Sequence, residues 1–252
     1  MRITLLIKTL FLAGVGVLAT PLTTAAELDQ LNFITESYPP YNFESNGEIK
    51  GIAVDLLLAA AKQSSSSLSA KKISLLPWPK AYKMARMGPE IVLFSITRTD
   101  EREDKFSWVG PIMPTRIILL AKKSDSIVIN SPDDMNKYTI GAIPNDIGEL
   151  LVKESGVKSS DITHIATAES LAKMLATDGI KLWAYEENVA RWIIKQAGLD
   201  NNDFESVYTL KDSELYYAFS KDVDKSIQEV LQKSIDDVKA SGLFDKIKAD
   251  YL

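Results

Sequence analysis

Short apolar runs alternate with single amphipathic segments along almost the whole chain, and this alternation is the strongest constraint on its fold. Residues 31–35, 73–76 and 91–95 read as strands. Between them lie a Leu- and Ala-rich helix over 52–63, opened by Gly51, and a helix from Pro79 to about Met87. Proline suits the first turn of a helix because its missing N–H has no partner to lose there. A serine run at 64–67 reads as a loop. A second block repeats the pattern. Strands are expected at 116–121, 138–142 and 181–184, with helices over 147–154, 168–176 and 187–197. Ser131-Pro132-Asp133-Asp134 has the form of a capped helix start, and Asn145-Asp146 suits the cap of helix 147–154. Two strands at 205–210 and 215–220 precede a long helix over 223–240, then Gly242 and a short helix to Tyr251. Strands separated by single helices pair in parallel, so the class is α/β. Two successive sets predict two lobes. Open parallel sheets bind ligands beyond the carboxyl ends of their strands, which directs attention to the residues that follow each strand.

Composition removes several function classes. There is no cysteine, so disulfides, thiolate zinc sites and thiol nucleophiles are excluded. The single histidine, His164, excludes a multi-histidine metal site and reads as a structural residue near a strand. A formal net charge of −5 gives no basic face for nucleic acid. Residues 1–26 carry no acid, start with Arg2, continue through a short apolar core and end in Thr24-Ala25-Ala26. That is the form of a secretory signal cleaved after Ala26, too short in its apolar part to span a bilayer. The mature chain is therefore expected in the periplasm, held together by its core alone.

After the strand at 91–95 the chain reads Ile96-Thr97-Arg98-Thr99-Asp100-Glu101-Arg102, then Phe106-Ser107. This segment, with Tyr38-Pro39-Pro40-Tyr41-Asn42-Phe43, Gly51-Ile52-Ala53-Val54-Asp55 and the stretch from Gly242 to Tyr251, resembles the extracellular solute-binding proteins of polar amino-acid ABC transporters. The resemblance runs from Leu31 to Leu252. It implies the type II periplasmic-binding fold: two mixed, mostly parallel sheets flanked by helices and joined by a two-strand hinge. The first lobe would comprise 27–111 and 217–252, the second 116–211, and the hinge 112–115 and 212–216. A small solute, expected to be an amino acid, would be trapped between the lobes of a monomer without cofactor, metal or catalytic residue, and passed to an inner-membrane ABC permease.

The resemblance also assigns the site. Arg102 stands where the family holds the ligand α-carboxylate, and a guanidinium fork fits two carboxylate oxygens. Arg98 is the neighbouring candidate. Ser95 and Thr97 flank the same place. Tyr38 and Trp78 occupy positions where the family sets aromatic walls, whereas Tyr41 reads as structural. Asn145 and Asp146 lie at the second lobe's carboxylate clamp, where backbone N–H groups at a helix start suit an anion. Glu186 aligns with the acid that receives the ligand ammonium. Glu90 stands where the family often has aspartate, and Gly179-Ile180-Lys181 replaces its usual Arg-x-Asp. Phe106-Ser107-Trp108-Val109-Gly110-Pro111 with Leu76-Pro77-Trp78-Pro79 looks like a subgroup often encoded apart from transporters. Two further functions are therefore open: a binding module for a membrane sensor, and a dehydratase-like enzyme of the same fold.

Overall fold

The computed structural model describes residues 27–252, and the expected signal segment lies outside them. The strands are β1 (Asn32–Thr35), β2 (Phe43–Ser45), β3 (Glu48–Lys50), β4 (Ile73–Leu75), β5 (Ile91–Thr97), β6 (Ser107–Val109), β7 (Pro114–Lys122), β8 (Ile140–Ala142), β9 (Ile162–His164), β10 (Leu182–Glu186) and β11 (Phe204–Phe219). Nine of them join in the order β4-β1-β5-β11-β7-β10-β8-β9, with β6 alongside β11. β1 pairs in parallel with β4 and β5, and β8 in parallel with β9 and β10. β7 and β11 run antiparallel to their neighbours. The α/β class follows directly: each parallel pair needs a helical crossover, and the apolar helix faces cover the sheet. All seven residues of β5 are buried, as expected of a central strand covered on both faces.

β11 links the two halves of the sheet. Its first part, from Phe204 to Glu214, pairs with β7, and its last part, from Leu215 to Phe219, pairs with β5. Sequence reading divides this segment into strands 205–210 and 215–220; the structure makes it one strand of 16 residues. The polar run Lys211-Asp212-Ser213-Glu214 looks like a break but is the part-exposed stretch that leads into the crossing between the halves. Two other expectations are corrected. The capped start at Ser131 opens a 3-10 helix, Pro132–Lys137, with its capping box formed. The β2–β3 hairpin was not expected, although Asn46-Gly47 is a hairpin turn signal and both residues take positive φ (55° and 78°).

Strand ends matter most for function. β5 extends to Thr97, so Ser95 and Thr97 lie within the strand and not in a loop after it. β10 extends to Glu186, placing that carboxylate at the strand's carboxyl end. Helix Ile147–Glu154 lies close against β10: a Cβ on Gly148 would stand 2.3 Å from the Ala184 carbonyl oxygen. Gly148→Ala is therefore expected to lower stability by about 1–3 kcal/mol or more through overpacking, read as a fall in the urea midpoint. An unchanged midpoint would show that the helix start can shift freely.

Candidate ligand-binding cleft

Arg102 belongs to the short helix Asp100–Glu103 that follows β5. It is 1 % exposed. Its Nη1 donates to the Thr97 carbonyl (3.0 Å) and its Nη2 to the Asn145 carbonyl (2.9 Å), while Nε has no partner in the protein. Thr97 lies in the β5 half and Asn145 follows β8 in the other, so this side chain bridges the two halves. The guanidinium carbon sits 5.3 Å from the ring centres of both Trp78 and Tyr82, which stack on each other at 5.5 Å. Aromatic packing of this kind fixes the fork before any ligand arrives. Three of its N–H groups are left for an anion: Nε and one on each terminal nitrogen. Arg98 is settled elsewhere. It pairs with Glu103, lies over Trp108 and Tyr216, and is exposed.

Ser95 is a bulge. Its φ is +58°, and the register of β11 shifts opposite it, between Tyr216 and Tyr217. Bulges re-aim side chains next to sites, and the buried Ser95 hydroxyl has no partner. The hydroxyl of Thr99 is likewise buried and unpartnered.

The second-lobe clamp differs from its expected form. The Asn145 N–H is taken by Glu149 Oε2 (2.6 Å), the Asp146 N–H by the Ile143 carbonyl, and Asp146 itself caps the helix by accepting from Gly148 N–H. Those backbone donors are engaged by protein acceptors, which corrects the expectation of a free N–H cluster for an anion. What this loop presents to Arg102 is the Asn145 carbonyl. Asn145 holds a left-handed backbone (φ 62°), and His164 and Lys153 hold Glu149 in place beneath it. Asp146 is 4 % exposed; burial pushes its pKa up, against the opposing pull of Arg102.

Glu186 is fully buried and well supplied with donors. Oε1 accepts from Tyr41 Oη (3.0 Å), Thr115 Oγ1 (3.1 Å) and Asn188 Nδ2 (3.3 Å), and Oε2 accepts from Val189 N–H (2.8 Å) as the cap of helix Glu187–Gln196. Burial raises its pKa to about 7 despite these donors. Tyr41, read as structural, thus ties the loop after β1 to the opposite half. Tyr38 also faces that half, edge-on to Tyr185 at 5.6 Å.

A cavity of about 250 Å³ opens between the halves. Glu36, Ser37, Leu76 and Trp78 line one side; Ile143, Ala168 and Glu169 line the other. Of the expected site residues only Trp78 lines it. Glu36 is the main residue that sequence reading missed. It directly follows β1, so the rule about strand ends would have found it. The loop is fixed by Asn42, whose Nδ2 donates to the Glu36 carbonyl and to Thr35 Oγ1. Burial drives the Glu36 carboxyl well above the usual range, Asp146 and Glu169 add to the rise, and Arg102 opposes it. Tyr185 was missed too: it is fully buried, stacked on Trp183 at 5.2 Å, and its hydroxyl has no partner. Among the described residues no group of three or more potential ligands could hold a metal ion.

A sheet halved by one crossing strand, with a buried arginine and several unpartnered polar atoms at the seam, defines a two-lobed solute-binding protein. The chain belongs to the bacterial extracellular solute-binding proteins, family 3, whose model matches residues 32–252. It is 24% identical over 238 residues to a probable histidine-binding protein of Neisseria gonorrhoeae, covering 92% of this chain and 86% of that one. Among solved structures it is similar to a histidine kinase sensor domain resembling periplasmic binding proteins (TM-score 0.79, 19% identity, 90% and 97% covered). An ancestral arginine-binding protein bound to arginine is also similar (TM-score 0.74, 22% identity, 88% and 97% covered). The fold is thus the two-lobed one, and its relatives are binding proteins, not enzymes. No helix among the described residues is long and apolar enough to cross a membrane.

Proposed function

We propose that this chain is a periplasmic binding protein for an amino acid with a cationic side chain, which it delivers to an ABC permease. The carrying observation is Arg102, buried at the seam with three N–H groups to spare. In this reading the α-carboxylate docks on Arg102, beside Ser95, Thr97 and Trp78. Tyr38 and Tyr185 form the aromatic floor, and Asn145 and Asp146 latch the second lobe onto Arg102. The ammonium role read for Glu186 passes to Glu36, because protein donors already occupy the Glu186 oxygens. Glu186 then acts as the hinge-side lock. The ligand's side-chain cation lies toward Glu169 at the cavity mouth, an acidic environment that suits a guanidinium or imidazolium. The histidine- and arginine-binding relatives support this charge class. The lobes and the hinge keep the boundaries read from sequence, with β11 as one crossing and the segment leading into β7 as the other. Export by a cleaved signal, action as a monomer and the lack of any catalytic step belong to the same proposal.

Calorimetric titration of unfolded and refolded protein with the twenty amino acids tests it. Heat with arginine, histidine or lysine is expected; no response to any of them defeats the reading. Glu36→Gln is expected to weaken arginine and glutamine alike, roughly tenfold or more, because both carry the α-ammonium that Glu36 receives in a dry site. Unchanged affinity for both would remove Glu36 from ammonium recognition. The likeness to a kinase sensor domain favours one second reading, ligand presentation to a membrane sensor. Uptake of radiolabelled ligand that continues in cells lacking this protein would favour that reading over transport.

A further inference from the structure

The sequence suggests an aromatic wall at Trp78, yet its geometry gives it another task. Its ring lies on Tyr82 at 5.5 Å, tilted by 24°, with the Arg102 guanidinium 5.3 Å from its centre. The residue is 3 % exposed and lines the cavity between the halves. Its indole N–H has no acceptor in the protein. Nε of Arg102, on the side chain packed against the same ring, is also buried and unpartnered. Both groups can only donate, so only an acceptor satisfies them. A buried donor left unpaired is costly, and such groups in native proteins point to a missing partner. Trp183 also has an unpartnered indole N–H, but it neither lines the cavity nor touches Arg102, whereas Trp108 donates to the Glu103 carbonyl.

We infer that the Trp78 indole N–H shares the ligand carboxylate with Arg102, so that Trp78 determines specificity through its edge. This deepens the proposed amino-acid reading and rests on it. Two donors of different shape, one a fork and one a single N–H, would fix the carboxylate plane more tightly than the fork alone. They would also discriminate against an amide, whose NH₂ group would meet donors.

Trp78→Phe keeps an aromatic ring and removes the N–H. L-Arginine and L-histidine, each against its α-carboxamide, are the probes, titrated by calorimetry into wild type and variant. The variant is expected to bind the acids roughly ten- to hundredfold more weakly, the loss typical of a hydrogen bond to a charged group. It should bind the amides about as wild type does. In ¹⁵N spectra one of the four indole resonances, absent from the variant, should move downfield with the acid and not with the amide. Unchanged affinity for the acids, or an equal loss for acid and amide, overturns the inference while leaving the amino-acid reading intact. A wild-type protein that binds neither acid overturns both.

Discussion

Arg102→Ala is expected to remove measurable ligand binding. Truncating one partner of a buried charge pair costs about 2–5 kcal/mol, or roughly 30-fold to a few thousandfold in affinity. Sequence alone suggests that this variant keeps its fold intact. The structure adds a stability cost, because the guanidinium is 1 % exposed, packs on Trp78 and Tyr82, and satisfies the carbonyls of Thr97 and Asn145. Removing it leaves two carbonyls unpaired and a void between the halves. Urea midpoints and calorimetry should therefore fall together in the alanine variant. Arg102→Lys separates the two effects. Its stem keeps much of the packing, but an ammonium cannot span both carbonyls and still present a fork. Stability should recover in part and affinity hardly at all. Affinity within threefold of wild type in either variant would move carboxylate recognition away from this residue. Arg98 would not inherit it readily, since Glu103, Trp108 and Tyr216 already hold it outside the cleft.

Legibility in sequence followed the range of the forces involved. Helices Ile52–Gln63, Ile147–Glu154 and Ala168–Ala176 could be read to the residue, because apolar spacing and caps are local signals. The family was legible for a related reason: its motif is a contiguous stretch around Arg102. What stayed hidden depends on long-range pairing. The continuity of β11 comes from β7 and β5 lying on successive parts of it, and no local pattern announces that. The bulge at Ser95 exists only in register with Tyr216 and Tyr217. The donors that engage Glu186 stayed hidden for the same reason, since Tyr41 and Thr115 are 145 and 71 residues away in the chain. Glu36 is within reach of the rule about strand ends, but an acid after a strand is ordinary, and its burial beside Asp146 and Arg102 is what sets it apart.

The ligand-free protein is expected to lose stability as pH rises from about 5 to 8. Glu186 has its pKa raised from 4.5 to about 7 by burial. The folded state therefore holds a proton that the unfolded state has released over that interval, and the slope of unfolding free energy with pH is negative there. The contribution is fully present below pH 4.5 and lost as pH passes 7. Its size is on the order of 3 kcal/mol, at 1.36 kcal/mol per pKa unit. Glu36 and Asp146 are raised as well and act with the same sign. The carboxyls held low by partners, such as Asp134 and Asp178 at about 2, lose their stabilisation only in stronger acid and leave this window undisturbed. Affinity for a cationic ligand should run the opposite way and rise with pH, because ionised cleft carboxylates attract it and protonated ones do not. Urea midpoints at pH 5 and 8, with and without arginine, test both slopes. Glu186→Gln should flatten the ligand-free slope, while the affinity slope persists through Glu36. A wild-type midpoint that rises between pH 5 and 8 without ligand would show that these buried carboxyls are ionised throughout, and that the closed cleft tolerates their charge unaided.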